Sequence, residues 1–387
     1  MAPRRLPRRP PRAGLRAAPR AAAPSAQRRG GAGGERPARG RGRAAGQPPR
    51  RRRRHRGRHL RDAVRRGRRA RPRVPGGARL AGGLPHLTPG LLRLSGLAYW
   101  LMHLAEGAPM TTTHLAVHGG TLAYEVHGSD GPLVVLAHGM GDDRRAWHAV
   151  IPELVAAGHR VAAVDLRGCG ESTAAWPSYG QGDIAGDLLA LVRHLGGPAV
   201  LVGHSIAGGA ATIAAVREPG LVSALVEVGP FTRKQSVGIR DLGVASYRRG
   251  AIRLLGAVML GSRRSWRRYL EVATPGRRPA GWDARLARID AMLREPGRMT
   301  ALKRMGVSGT AESDPALARV RVPVLVVQGS ADPDWVDPAA EARAIVAALP
   351  DGAGRVQMVP GAGHYPHVQE PAAVAATIVA FVGSVRA

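Results

Sequence analysis

Residues 200 to 208 read Val-Leu-Val-Gly-His-Ser-Ile-Ala-Gly, and this stretch decides the fold. The apolar run up to Val202 predicts a buried strand, and the apolar and small residues from Ile206 to Arg217 predict a helix. Only a tight turn fits between these elements, so Ser205 is expected in a strained conformation with its hydroxyl projecting outward. The helix N-terminus and the Ile206 amide then face the same point, where they would stabilise a developing oxyanion.

A serine between glycines is a weak signal by itself, and this one departs from the usual pattern. The residue two positions after Ser205 is Ala207, where a glycine is usual, although alanine is still small enough for the turn. Whether Ser205 is a nucleophile therefore depends on what the neighbouring strands carry.

Short apolar runs alternate with helical patterns along the chain, which predicts a mostly parallel sheet with helices on both faces. Gly119 and Gly120 separate the first two runs, Leu115 to His118 and Thr121 to His127, so the sheet is expected to begin with an antiparallel hairpin. Six buried strands are predicted at Leu133 to Ala137, Arg160 to Asp165, Ala199 to Val202, Leu225 to Val228, Val324 to Gln328 and Val356 to Val359. Helices are predicted at Ala185 to Leu195, Ile206 to Arg217, Pro338 to Ala348 and Pro371 to Val382.

A carboxylate and an imidazole follow two later strands. Asp332 lies in the Gly-Ser-Ala-Asp-Pro loop after Val324 to Gln328, and His364 lies in the Gly-rich loop after the final strand. Because the carboxyl ends of parallel strands share one edge of a sheet, Ser205, Asp332 and His364 are expected to converge there in the order nucleophile, acid, histidine. His364 would take the serine proton, and Asp332 would hold the imidazole tautomer and stabilise its charged form.

A second glycine-containing turn supplies a candidate oxyanion donor. His138-Gly139-Met140-Gly141 follows the strand that ends at Ala137, and its glycines let the Met140 amide turn toward the same edge. The backbone N–H groups of Met140 and Ile206 are therefore the predicted oxyanion hole.

One long break interrupts the alternation, from Thr232 to Ala318. Amphipathic helical patterns occur there at Tyr247 to Leu260 and Trp282 to Leu293 without strands, which predicts an insertion that forms a lid. Three apolar residues of the first pattern recur at helical spacing and are expected to face the core, or else the pocket: Ile252, Leu255 and Met259.

Residues 115 to 385 resemble the α/β hydrolase superfamily, in particular the single-domain serine hydrolases with a helical lid. The resemblance is carried by His138-Gly139, the stretch Asp-Leu-Arg-Gly-Cys-Gly-Glu-Ser at 165 to 172, the turn at Ser205, Asp332 and Gly363-His364. It implies an α/β hydrolase fold, with a mostly parallel eight-stranded sheet, helices on both faces and a helical lid. It also implies hydrolytic chemistry without a cofactor, but no particular substrate.

Other acids near these motifs are given structural interpretations. Asp334 and Asp337 follow Asp332 closely and are expected to be solvated or capping groups. Asp165 ends a predicted strand next to a structural turn at Arg167-Gly168, and Glu227 lies within a predicted strand, so both acids are poor candidates for the catalytic acid.

The cysteine and histidine content excludes several kinds of site. A single cysteine, Cys169, rules out an intramolecular disulfide framework and a multi-cysteine zinc site, and without a basic partner it is expected to be a small residue near the mouth. The histidines show no helical pair at metal-ligand spacing, so no metal is expected. Three histidines next to the machinery are expected to pack beside it: His138, His204 and His367.

Residues 1 to 109 differ in composition from the rest of the chain. They contain 29 Arg and 3 acids, so they carry +26 of the formal net charge of +31, and they lack apolar periodicity. We expect a disordered extension that is a start-site artefact, with the true start near Met110. A tether to nucleic acid or an acidic surface and a targeting peptide are the alternatives. N-terminal sequencing of the natively expressed protein separates these hypotheses.

The remaining chain, residues 110 to 387, is expected to be one catalytic domain with its lid at about 232 to 318. The predicted function is a carboxylesterase-like serine hydrolase that cleaves a small or medium ester through an acyl-enzyme. A ligand-binding receptor on the same fold, a cofactor-free perhydrolase and a carbon-carbon bond hydrolase are the alternatives. The serine at 205 disfavours relatives with an aspartate nucleophile.

The expected partner is a small-molecule substrate in the cytoplasm. Neither nucleic-acid binding by the folded domain nor stable membrane insertion is expected. The oligomeric state is left open.

Overall fold

The computed structural model describes residues 111 to 235 and 238 to 385. The predicted extension over residues 1 to 109, and the predicted start near Met110, lie outside the described residues. No helix within the described part combines the length and the apolarity needed to cross a membrane.

Eight strands form one sheet in the described part of the chain: β1 (Thr113–Val117), β2 (Gly120–His127), β3 (Leu133–Ala137), β4 (Arg160–Val164), β5 (Ala199–His204), β6 (Val222–Val228), β7 (Val324–Gly329) and β8 (Gly354–Val359). Their order across the sheet is β1-β2-β4-β3-β5-β6-β7-β8. Strand β2 runs antiparallel to β1 and β4, and the other neighbours are parallel. The predicted fold class, including the antiparallel start, is confirmed.

Helices cover both faces of this sheet. In chain order the α-helices of the described residues are α1 (Ile151–Ala156), α2 (Gln181–His194), α3 (Ile206–Arg217), α4 (Ala245–Leu260), α5 (Arg263–Val272), α6 (Trp282–Arg294), α7 (Arg298–Gly306), α8 (Ser313–Ala316), α9 (Pro338–Ala347), α10 (Pro366–Gln369) and α11 (Pro371–Ser384). One apolar core joins α2, α3 and α9 to one face of the sheet, and a second joins α1 and α11 to the other.

The predicted elements are present, and several of them begin a few residues earlier than predicted. Helix α2 begins at Gln181, four residues before the predicted start, because Asp183 accepts a hydrogen bond from the Gly180 amide at 2.9 Å and caps the first turn. The apolar periodicity of this helix begins only with its second turn. The capped first turn therefore lies outside the apolar pattern of this helix.

The segment from Thr232 to Ala318, called the lid below, contains helices α4 to α8 and has an apolar core of its own. The sequence did not predict α5 or α7. Helix α5 carries four arginines and buries only one stripe, which includes Trp266, Tyr269 and Leu270. A mostly charged helix of this kind is stabilised by the narrow face that it packs against its neighbours.

The prediction that the apolar stripe of α4 faces the core or the pocket was wrong. Ile252, Leu255 and Met259 are 62%, 61% and 56% exposed. The opposite face of α4 is the one that packs inward, and it buries Tyr247, Gly250, Ala257 and Val258. Both faces of this helix are partly apolar, so periodicity alone could not select the buried one.

The different environments of two lid leucines predict different costs of truncation. Leu302 is completely buried in α7, and Leu302→Ala should lower the free energy of unfolding by about 2 to 5 kcal/mol, because it leaves a cavity. The matched variant Leu255→Ala, on the exposed face of α4, should change it by no more than about 0.5 kcal/mol. Urea unfolding followed by circular dichroism measures both. Equal losses would mean that Leu255 is buried in solution.

Candidate active site

Ser205 occupies the sharp turn between β5 and α3. Its φ of 56° and ψ of −121° make it the one residue other than glycine with a positive φ in the described part of the chain. The turn is tight: a Cβ added to Gly203 would lie 2.2 Å from the carbonyl oxygen of Ala207. The alanine at position 207 is fully buried and fits. The strained turn expected from the sequence is therefore present, and strain of this kind persists only where the surroundings enforce it.

The loops after β7 and β8 bring Asp332 and His364 into contact. Oδ2 of Asp332 lies 2.9 Å from Nδ1 of His364. Both side chains are buried, at 2% exposure each. This contact occupies Nδ1, so Nε2 is the nitrogen of His364 that remains for proton transfer.

Asp332 is held in place by two donors besides His364. Nε2 of Gln328 donates to Oδ2 at 2.8 Å, and the backbone amide of Asp334 donates to Oδ1 at 3.0 Å. Gln328 is on β7 and was not predicted as a site residue, because nothing in the apolar pattern of that strand marks its side chain. These donors fix the carboxylate, which in turn fixes the orientation of the imidazole ring.

Asp334 is not the solvated or capping group that the sequence suggested. Its side chain is 5% exposed, and its Oδ2 lies 3.3 Å from Nδ1 of His364. The hydroxyl of Tyr269, on α5, donates to the same oxygen at 2.5 Å. Asp337 does act as a cap, because it accepts a hydrogen bond from the amide of Ala340 at the start of α9. Only the tertiary packing distinguishes these two acids.

The two carboxylates shift the titration of the imidazole. Burial by itself lowers the pKa of His364, but the charges of Asp332 and Asp334 outweigh burial and raise that pKa to about 9. Burial also raises the pKa of Asp334 to about 6; the charge of Asp332 acts in the same direction, while His364 and the Tyr269 hydroxyl oppose it. Perturbed groups of this kind are typical of functional sites.

Ser205 and His364 lie in one neighbourhood. The amide of Phe231 donates to the carbonyl of Ser205 at 3.2 Å, and the Phe231 ring lies 5.6 Å from the His364 ring. The ring of His204, the residue directly before Ser205, lies tilted against the His364 ring, with 4.8 Å between the ring centroids. Nε2 of His204 also lies 2.9 Å from the carbonyl oxygen of His364. The hydrogen bonds that the structure gives Ser205 run through its backbone. The predicted transfer from its hydroxyl to the imidazole therefore stays a proposal.

Met140 and Ile206, the two predicted oxyanion donors, line the same cavity as Ser205. This cavity has a volume of about 100 Å³ and also contacts the lid through Leu254 and Met305. Ile206 is the first residue of α3, so its amide has no acceptor within the helix.

Two ion pairs join the loop after Met140 to the lid. Arg285 of α6 donates to Asp142, and Nε of Arg288 lies 2.7 Å from Oδ2 of Asp143. The lid therefore holds the loop that carries the Met140 amide.

The remaining polar candidates have structural contacts. Asp165 accepts hydrogen bonds from the Arg144 backbone at 2.7 Å and pairs with the Arg144 side chain. Glu227 accepts from the hydroxyls of Thr212 and Thr232, and burial raises its pKa to about 7. Burial raises the pKa of the Cys169 thiol to about 12, so this cysteine is not an activated nucleophile.

Three further histidines pack beside the site, as the sequence predicted. His138 accepts from the amide of Leu166 at 3.0 Å. His204 and His367 lie 4.5 Å apart, and burial lowers the pKa of both well below the usual range. The rings of His204 and His367 are therefore neutral packing groups beside the site.

Among the described residues, one group has the spacing of a cation site. Ligand atoms of Asp332, Asp334 and His364 lie within 4.8 Å of one another. Three of the four carboxylate oxygens there already accept hydrogen bonds, from His364, Gln328, the Asp334 amide and Tyr269. The donor set thus fits an ordered imidazole better than a metal ion, and we assign no metal to it.

Comparison with known proteins identifies the family. The family model described as alpha/beta hydrolase fold matches residues 132–371, which is more than half of the chain. The chain belongs to the α/β hydrolase family. This agrees with the resemblance carried by the motifs and with the sheet order observed here.

Two relatives of this α/β hydrolase match it over nearly the whole of their own length. A protein of Variovorax paradoxus (strain S110) named "Putative carbamate hydrolase RutD" is 30% identical over 275 residues, 69% of this chain and 97% of that protein. A pimeloyl-acyl-carrier-protein methyl ester esterase of Edwardsiella ictaluri (strain 93-146) is 30% identical over 254 residues, 64% of this chain and 92% of that protein. The first is named as a hydrolase and the second as an esterase, which is a hydrolase of esters, and this chain is a hydrolase of the same family.

A solved structure agrees on the fold. The esterase EaEST from Exiguobacterium antarcticum matches with a TM-score of 0.59 and 20% identity, over 72% of this chain and 100% of that one. At this identity the similarity concerns the fold alone.

Proposed function

We propose that this α/β hydrolase is a serine esterase that cleaves small or medium carboxylic esters through an acyl-enzyme on Ser205. The observation that carries the proposal is the strained Ser205 at the N-terminus of α3, in the same neighbourhood as an imidazole that Asp332 orients at 2.9 Å. A serine hydroxyl is too weak an acid to attack unaided, and an oriented imidazole is the base that activates it.

The proposed reaction has two halves. Oγ of Ser205 attacks the ester carbonyl carbon while its proton passes to Nε2 of His364, and the resulting oxyanion accepts hydrogen bonds from the amides of Met140 and Ile206. His364 then gives the proton to the departing alkoxide, which leaves as an alcohol. Water attacks the acyl-enzyme by the same route, releasing the carboxylic acid and restoring Ser205. By analogy with other enzymes, each oxyanion donor contributes about 3 kcal/mol to the transition state.

The cavity beside Ser205 predicts a preference for short acyl groups. Its volume of about 100 Å³ suits a chain of a few carbons, and the lid residues Leu254 and Met305 contribute to its lining. Against p-nitrophenyl esters of rising acyl length, kcat/KM should therefore be highest for acetate to butyrate and fall by about tenfold or more at octanoate. A rising series up to octanoate would mean that the lid opens to a larger site.

A fluorophosphonate probe tests the hydrolase class itself. Labelling together with turnover of the ester panel supports the esterase, whereas labelling without turnover supports a receptor that reacts once. Because one relative bears the name of a carbamate hydrolase, a p-nitrophenyl carbamate belongs in the same panel. A carbamate turned over faster than every ester would replace the ester in this proposal.

A further inference from the structure

Two carboxylates, not one, flank the imidazole of His364. Oδ2 of Asp332 is 2.9 Å from Nδ1, and Oδ2 of Asp334 is 3.3 Å from it. A single N–H cannot make a good hydrogen bond to both oxygens at once. Asp332 is fixed by Gln328 and by a backbone amide, so it is the better acceptor, and Asp334 approaches the ring mainly as a charge.

The lid holds the second carboxylate in place. The Tyr269 hydroxyl of α5 donates to Oδ2 of Asp334 at 2.5 Å, and the Tyr269 ring lies 6.5 Å from the His364 ring. The other oxygen of Asp334, Oδ1, is buried and has no hydrogen-bond partner within the described residues. Half of this carboxylate is thus unsolvated, which makes its negative form costly and its titration sensitive to the one hydroxyl that it accepts.

The same helix is fixed to the histidine loop. The backbone amide of His364 donates at 2.9 Å to the carbonyl of Ala273, the residue directly after α5. A Cβ on Gly363 would lie 2.3 Å from that carbonyl oxygen, so the loop needs glycine there to approach the lid. Helix α5 therefore contacts both His364 and its second carboxylate.

We propose that Asp334 is a positioning residue for His364, a second carboxylate that the lid hydroxyl of Tyr269 holds against the Nδ1 side of the imidazole. This inference rests on the proposed role of His364 as the base. Asp334 touches no reacting atom, and it acts by adding its charge to that of Asp332. Two carboxylates stabilise the protonated imidazole more than one carboxylate would. The uncharged imidazole, which is the form that acts as the base, is therefore scarce at pH 7.

The expected pH dependence follows from the direction of these effects. With the pKa of His364 at about 9, about one part in a hundred of the imidazole is neutral at pH 7. The wild-type kcat/KM should therefore rise between pH 7 and pH 9.

Six other titratable groups face His364 and Asp334 from the packed elements: Asp332, Tyr269, Tyr247 of α4, His204, Tyr365 and His367. On its other side Asp334 borders a cavity of about 330 Å³ with Arg233, Lys234 and Glu341.

The experiment is the pH profile of kcat/KM for an unbranched p-nitrophenyl ester. Asp334→Asn removes the second charge, so the midpoint of the rising limb should fall by about one pH unit or more, and kcat/KM at pH 7 should increase several-fold. Tyr269→Phe removes a hydrogen bond that favours the charged form of Asp334. The midpoint of the rising limb of this variant should therefore also fall, by a smaller amount. The matched control Tyr247→Phe changes a lid tyrosine without a hydrogen bond to Asp334, and its limb should stay in place.

The outcomes separate this inference from the proposed function. If the midpoint of the rising limb is unchanged in both variants, while fluorophosphonate labelling and turnover persist, the role of Asp334 is overturned and the proposed esterase function is not. Loss of activity at every pH in a folded Asp334→Asn variant would also overturn it, because Asp334 would then be the acid on which His364 depends. If Asp334→Asn does not fold, the pH profile of Tyr269→Phe, which keeps the carboxylate, tests the inference by itself. Absence of labelling in the wild type would instead remove the proposed function.

Discussion

Ser205→Ala should lower kcat for the best ester by about 10³ to 10⁶-fold, because it removes the atom that would form the acyl-enzyme. Alanine keeps the small size that the turn requires, so the fold and the substrate affinity should change little. Steady-state kinetics with the p-nitrophenyl panel measures the loss. Residual activity would come from the oxyanion donors and from binding alone.

The control for this variant is Ser223→Ala. Ser223 is an exposed serine near the start of β6, the end of the strand away from the site, and its replacement should leave kcat unchanged. A fluorophosphonate probe should label wild type and Ser223→Ala but not Ser205→Ala. Retained turnover in Ser205→Ala would show that the nucleophile lies elsewhere.

Asp332→Asn should lower kcat by about 10⁴-fold, as removal of the charge from the acid of a triad does elsewhere. The asparagine amide can present an N–H to Nδ1 of His364, which would favour the tautomer with its proton on Nε2. That tautomer cannot accept the proton of Ser205. The variant should still fold, because the Asp334 amide can donate to the remaining amide oxygen and Gln328 can turn its own amide oxygen, which has no hydrogen-bond partner within the described residues, toward the new N–H group.

Asp337→Asn is the matched control for the acid. Asp337 lies five residues further along the same loop, and its side chain caps α9 rather than facing His364. Asparagine is also a good capping residue, so stability and activity should both persist. If Asp332→Asn retained wild-type activity while Asp334→Asn lost it, the two carboxylates would have exchanged the roles assigned here.

The turn at Ser205 was predictable because its constraints are local. A strand that ends at His204 and a helix that begins at Ile206 leave only one conformation for the residue between them, whatever packs around it. The convergence of Ser205, Asp332 and His364 is predicted from the sequence in the same way, because the carboxyl ends of parallel strands lie on one edge. The structure brings Asp332 and His364 into contact, and the ring of His204, the residue directly before Ser205, lies 4.8 Å from the His364 ring.

The environment of the second acid was not predictable in the same way. Asp334 and Asp337 follow the same strand, and no periodicity distinguishes a buried carboxylate from a capping one in an irregular loop. Tyr269, which holds Asp334, lies 65 residues earlier, in an arginine-rich stretch that gave no helical signal. The side chain that selects between these acids therefore comes from a part of the lid whose position is set by packing alone.

The sequence by itself determined which strands and helices follow one another along the chain and the strained turn at Ser205, and it predicted the edge of the sheet for the candidate residues, because chain connectivity and short-range sterics dictate these features. The tertiary structure decided which face of α4 is buried, which acid approaches His364 beside Asp332, and how small the cavity beside Ser205 is. Those features depend on contacts between residues far apart in the chain. The burial and charge that they create exist only after the lid has packed onto the sheet.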